Sequence, residues 1–157
     1  MISLHELLKY KNPHLVKRYQ QDYPHNLLGP GEALIELLKY FWICEKHIQD
    51  KNNRPNEKSF HFICAMHSEM KEIDDMWHTF LLFTQDYWAF CNKYFGKFLH
   101  HVPNLGKGSE NIKVDEIELT RYLSYVYDHL GEKTLEKWFA EDKKPNGSLS
   151  NLRRLHL

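Results

Sequence analysis

The chain has 157 residues, and its 21 lysines and arginines are matched by 21 aspartates and glutamates, for a formal net charge of zero. That is one ordinary domain, too short for two sizeable ones, and it lacks the basic excess of a protein built to neutralise phosphates. Aromatics at 14% argue against intrinsic disorder.

No apolar run approaches the roughly 18 residues that span a bilayer. Residues 1–11 show no basic region followed by an apolar stretch, so no secretory leader is expected. These limits point to a soluble, cytoplasmic protein that binds neither nucleic acid nor membrane.

Residues 3–9 read as a short amphipathic helix, with Ser3 as N-cap and Glu6 completing a capping box. Asn12-Pro13 restarts the chain, with Asn12 as cap and Pro13 at the first helical position. Tyr23-Pro24 ends that second helix.

Gly29-Pro30-Gly31 is a turn signal. Ala33, Leu34, Leu37, Leu38, Phe41 and Trp42 then mark a core-facing helix to about Ile48. Residues 49–58 are polar and read as an exposed loop. Ser59 is a candidate cap for a helix carrying Phe60, Phe62, Ile63 and Met66.

From about Ser68 the pattern is strongly helical through Ile73, Met76, Trp77, Phe80, Leu81, Phe83 and Tyr87. A break near His67-Ser68 is left open. Phe90, Tyr94 and Phe95 extend the apolar character to Gly96, either a helix end or a tight approach.

Pro103, Gly106 and Gly108 make residues 102–111 a loop. Val114 to Tyr127 form another apolar periodicity, closed by Gly131. Residues 134–140 read as a short last helix. No alternation is long enough for a strand, and no repeat is visible. The expectation is all-α, a single compact domain of about five or six helices over residues 1–141, followed by a polar tail at residues 142–157.

The three cysteines, Cys44, Cys64 and Cys91, form no C-x-x-C pair. Their odd count and wide spacing argue against a disulfide framework, and each reads as a small buried hydrophobe. Gly131-Glu132-Lys133-Thr134 resembles the end of a phosphate-binding loop, but the upstream glycine and buried strand are missing.

The segment that can carry chemistry is Ile73-Asp74-Asp75-Met76-Trp77-His78. On a helix, Asp74 and His78 are i and i+4 and share a face, and Asp75 and His78 are i and i+3. The Asp-x-x-His spacing resembles the Glu-x-x-His element of carboxylate-bridged di-iron bundles. A second such element is missing, so a di-iron centre is disfavoured.

His100-His101 adds a second cluster. On one helix the two would point about 100° apart, so they would not share an ion. At a helix end or in a loop, one of them can turn back toward His78. Two histidines and one aspartate would make a three-ligand site with an open position, suited to zinc or non-haem iron. Asp74, His78, His100 and His101 are therefore the candidate metal ligands, with His67 and Cys91 as open additions. The bland reading of the same residues is a helix-surface ion pair or a structural hydrogen-bond network. Trp77, Tyr87, Trp88 and Phe90 read as core.

The stretch I-D-D-M-W-H-T-F-L-L-F-T-Q-D-Y-W-A-F-C, then G-K-F-L-H-H-V-P, resembles the bacterial glycine-rich domain-containing-protein-like family, which is related to the opening module of plant glycine-rich domain proteins. The resemblance rests on Asp74, Trp77, His78, Thr84, Tyr87, Cys91, Gly96, His100, His101 and Pro103, and spans about residues 28–103. It implies no reaction. It does imply that Asp74, His78, His100 and His101 belong to one pattern.

Two functional expectations follow. One is a His/Asp-lined divalent-metal site, zinc or iron, suited to metal-assisted hydrolysis or an oxygen-dependent step. Its partner would be an unidentified small molecule or protein. The other is a helical interaction module without cofactor, using Trp42, Trp88, Trp138 and the tyrosines as contact surface.

Overall fold

Seven α-helices and two 3₁₀ turns, without a strand, make up residues 1–102 and 115–140, the residues that the computed structural model describes. The helices are α1 (Leu4–Leu7), α2 (Pro13–Asp22), α3 (Pro30–Asn53), α4 (Lys71–Leu82), α5 (Thr84–Phe95), α6 (Glu116–Leu130) and α7 (Glu132–Phe139). The all-α expectation holds. The loop glycines Gly106 and Gly108, Pro103, and the polar tail at residues 142–157 lie outside the described residues.

The caps of α1 and α2 form as expected, but the reciprocal half of the capping box does not. Ser3 Oγ accepts from the Glu6 N–H at 3.2 Å, while the Glu6 carboxylate pairs with Lys9. Asn12 Oδ1 accepts from the Leu15 N–H at 3.0 Å, with Pro13 at the first position of α2. The Asn12 amide also donates to Asp86 at 2.9 Å, which ties the start of α2 to α5.

The long helix α3 is the axis of the molecule and packs against α1, α2, α4 and α6. Ala33, Leu37, Leu38 and Ile43 on it are fully buried. Met76 and Phe80 of α4 and Trp138 of α7 are buried to the same degree. Each large apolar side chain removed from water in this way contributes about 1.5–3 kcal/mol. A buried carboxylate, Glu36, staples α3 to α7. It accepts from the Trp138 indole N–H at 2.9 Å and from Lys39 at 2.9 Å.

α1 stops at Leu7, short of the expected residue 9, and α7 starts at Glu132, ahead of the expected Thr134; three further departures have a visible cause. α3 does not stop near Ile48 but continues to Asn53. The extra turn is polar yet anchored, because Asp50 pairs with Lys46 at 2.9 Å and accepts from the Tyr125 hydroxyl at 2.7 Å.

No helix follows Ser59. A 3₁₀ turn at Lys58–Phe60 leads into non-helical chain to His67. Side chains of other elements hold its carbonyls: His47 meets that of Phe60, Arg121 that of His61, Tyr40 that of Cys64, and Tyr122 that of Ala65. Donors this remote in sequence are invisible to a local pattern.

The helical run from Ser68 is also not continuous. It opens with a 3₁₀ turn at Ser68–Met70 and breaks again at Phe83, where ψ is 65°. Apolar periodicity passes through this break because α4 and α5 line the same core. Among the described residues, no helix is long and apolar enough to cross a membrane.

Candidate metal centre

Asp74 and His78 lie one turn apart on α4, as the i, i+4 spacing requires. The adjacent Asp75 faces elsewhere. It is buried and takes Lys71 at 2.9 Å and the Asn26 amide at 3.0 Å. Asp74 is therefore the carboxylate available to His78, and it is only partly buried.

The second histidine arrives through a reversal of the chain. α5 ends at Gly96, whose left-handed backbone (φ 66°) is cheap for glycine and strained for other residues. Lys97 then pairs with Glu45 of α3 at 2.6 Å. The Tyr87 hydroxyl donates to the Leu99 carbonyl and accepts from the Trp77 indole N–H at 3.0 Å. Burial pushes the Tyr87 phenol up, so it stays protonated and keeps donating. These contacts bring the segment after α5 back against α4.

His101 is thereby set on the site. Its Nε2 lies 2.7 Å from Asp74 Oδ1, and its ring sits edge-on to Trp77 with centroids 4.4 Å apart. His78 Nε2 lies 3.5 Å from the other oxygen, Asp74 Oδ2. The donor atoms of Asp74, His78 and His101 all fall within 4.8 Å of one another. Their side chains are graded in exposure, 15% for His101, 27% for Asp74 and 48% for His78.

His100 is not part of this group. It is exposed, with its ring against Phe98. The two adjacent rings take different neighbours, Phe98 for His100 and Asp74 with Trp77 for His101, so only His101 meets α4. Of the two additions left open by the sequence, neither is among the three grouped donors. His67 precedes the 3₁₀ break and packs against Tyr122 and Phe139. Cys91 is fully buried on α5, one turn after Tyr87.

Tyr87 and Trp77 are core side chains, as expected of aromatics at this spacing, and they also carry the polar link that aims His101. No sequence signal marks that second role, apart from the polar tips that a buried tyrosine and tryptophan must satisfy. Trp88 departs from the core expectation, because it is 63% exposed.

The donor set suits a divalent transition metal. Two imidazole nitrogens and one carboxylate oxygen are ligands for zinc or ferrous iron. In a tetrahedral zinc site such atoms stand about 3.3–3.6 Å apart, given bonds of 2.0–2.2 Å. To hold an ion, the 2.7 Å Asp74–His101 contact has to open and the widest separation, up to 4.8 Å, has to close, and the half-exposed His78 has room to move.

The chain matches the UCP032817-like family over residues 6–138. No curated protein and no solved structure matches it. This corrects the resemblance to the glycine-rich domain-containing-protein-like family, which rested on about half of the chain, whereas the family match runs from α1 into α7. The chain belongs to the UCP032817-like family, an uncharacterised one.

Proposed function

We propose that Asp74, His78 and His101 bind one divalent metal ion, zinc or ferrous iron, with at least one coordination position open to solvent. The observation that carries this reading is the convergence of three ligand atoms within 4.8 Å, one of them brought from 27 residues away. The i, i+4 spacing alone brings His78 to Asp74, so what supports the metal reading is the arrival of His101 as a third donor on the same carboxylate. The chemistry such a centre supplies when loaded is activation of a bound water or of dioxygen. The protein's own part is to hold His101 against Trp77, to keep Asp74 between the two imidazoles, and to leave the His78 side accessible.

A second reading keeps the cluster as a structural network without metal. The short Asp74–His101 contact and the packing of His101 on Trp77 favour it. Of the three tryptophans in the contact-surface idea, Trp138 is fully buried, Trp42 donates its indole N–H to the Ile2 carbonyl, and Trp88 is exposed.

Elemental analysis separates the two. The protein is purified without a polyhistidine tag, beside its His78→Ala variant. Near-stoichiometric zinc or iron in the first, lost in the second, is the expected result. Absence of metal in both, or equal metal in both, overturns the proposal.

A further inference from the structure

Away from the candidate metal centre, Cys44 of α3 and Cys64 of the non-helical segment meet across 20 residues of chain. The Cys44 thiol donates to the Cys64 carbonyl at 3.6 Å. The Tyr40 hydroxyl donates to the same Cys64 carbonyl, and the Tyr122 hydroxyl donates to the next carbonyl, that of Ala65. Both cysteines line an open cavity of about 350 Å³, together with His47, Phe62 and the exposed Ile63. Each is only partly buried, so a small solute reaches them.

We propose that Cys44 and Cys64 are a redox-active dithiol that closes to an intramolecular disulfide when hydrogen peroxide enters this cavity. One sulfur, as thiolate, attacks a peroxide oxygen. The O–O bond breaks, water leaves after protonation, and a sulfenic acid remains. The second sulfur displaces its hydroxyl as another water, forming the S–S bond. Two thiols and one hydrogen peroxide thus give one disulfide and two waters, with sulfur oxidised and peroxide oxygen reduced.

Three features of the surroundings support the pairing. The Cys64 carbonyl does not lose its partner when the Cys44 thiol is consumed, because the Tyr40 hydroxyl donates to it at 3.2 Å. The segment from residue 61 to 67 is not locked into a helical ladder, so it can shift toward α3 without breaking one. The third cysteine, Cys91, is fully buried near Tyr87 and Leu99, in a separate part of the core. Burial pushes the Cys44 thiol up, which keeps the thiolate fraction low and makes the closure slow. The pair is therefore a site of oxidative modification and not a fast peroxidase.

The test uses the full chain, reduced, freed of reductant and exposed to excess hydrogen peroxide. Samples are denatured in alkylating reagent and read by mass spectrometry before and after reduction. The expected product is a monomer carrying one alkyl group, on Cys91, with a Cys44–Cys64 linked peptide that dithiothreitol opens. Cys44→Ser and Cys64→Ser should each abolish it, and the wild-type peptide map decides even if a variant folds poorly. The proposal is overturned by a chain with no linked peptide, by accumulation of sulfinic acid at Cys44 or Cys64 without pairing, or by a link that involves Cys91.

Discussion

The Tyr87 hydroxyl donates to the Leu99 carbonyl, and this bond fixes the backbone two residues before His101. The same hydroxyl accepts from Trp77, whose ring lies against His101. One phenol on α5 thus controls how a histidine beyond α5 meets an aspartate on α4. Under the metal-site reading, Tyr87→Phe should weaken metal binding by about 10–100-fold, the usual effect of losing an orienting contact behind a ligand. Chelator competition with zinc measures it. Equal affinity in variant and wild type would show that His101 needs no such support.

The two adjacent histidines give a sharper contrast. His101→Ala removes a candidate ligand atom 2.7 Å from Asp74, and His100→Ala removes an exposed ring packed on Phe98. Metal content should fall in the first variant and stay at the wild-type level in the second. Loss of metal in both, with both folded, would mean that the chain turns differently at this point in the loaded protein.

Glu36 tests the packing of α7 on α3. Its carboxylate is fully buried and serves Trp138, Lys39 and, at 3.5 Å, Lys137. Glu36→Ala leaves the indole N–H buried without that acceptor, while both lysines can rehydrate. The expected loss is about 3 kcal/mol, near the lower end for breaking a buried pair. Glu36→Gln keeps an acceptor for the indole and should lose less. Urea unfolding followed by tryptophan fluorescence checks both.

Mild acid should destabilise the fold through its buried histidines. Burial lowers the pKa of His47, His67 and His129 below their ordinary value of 6.5. The unfolded chain then binds these protons at a higher pH than the folded one does. The stabilisation is complete above about pH 6.5 and is lost as pH falls from there through the lower folded values. The melting temperature should drop across that window in metal-free protein, and replacing His47 with Gln should flatten the drop. A melting temperature constant between pH 7 and pH 5 would contradict this.

Several features were legible because their causes are local. Ser3, Asn12-Pro13 and Gly131 act through neighbours within four residues, and the structure places their helix boundaries accordingly. The i, i+4 spacing of Asp74 and His78 is likewise a property of one helix. The missed boundaries share the opposite character. α3 is extended by Tyr125 acting on Asp50, and the chain after Phe60 is kept out of a helix by His47, Arg121, Tyr40 and Tyr122. The break at Phe83 carries neither glycine nor proline, and apolar periodicity conceals it.

By itself, then, the sequence determined that this chain is helical, where most helices start, and that Asp74 and His78 share a face, since each depends on propensity, capping and period. Only the tertiary structure decided that His101 and not His100 meets them, that His67 turns away, and that Cys44 finds Cys64. Those outcomes depend on how Gly96, Lys97 and Tyr87 fold the chain back after α5, and on which distant side chains claim the carbonyls after Phe60. Such contacts are set by packing in three dimensions, which residue spacing along the chain does not encode.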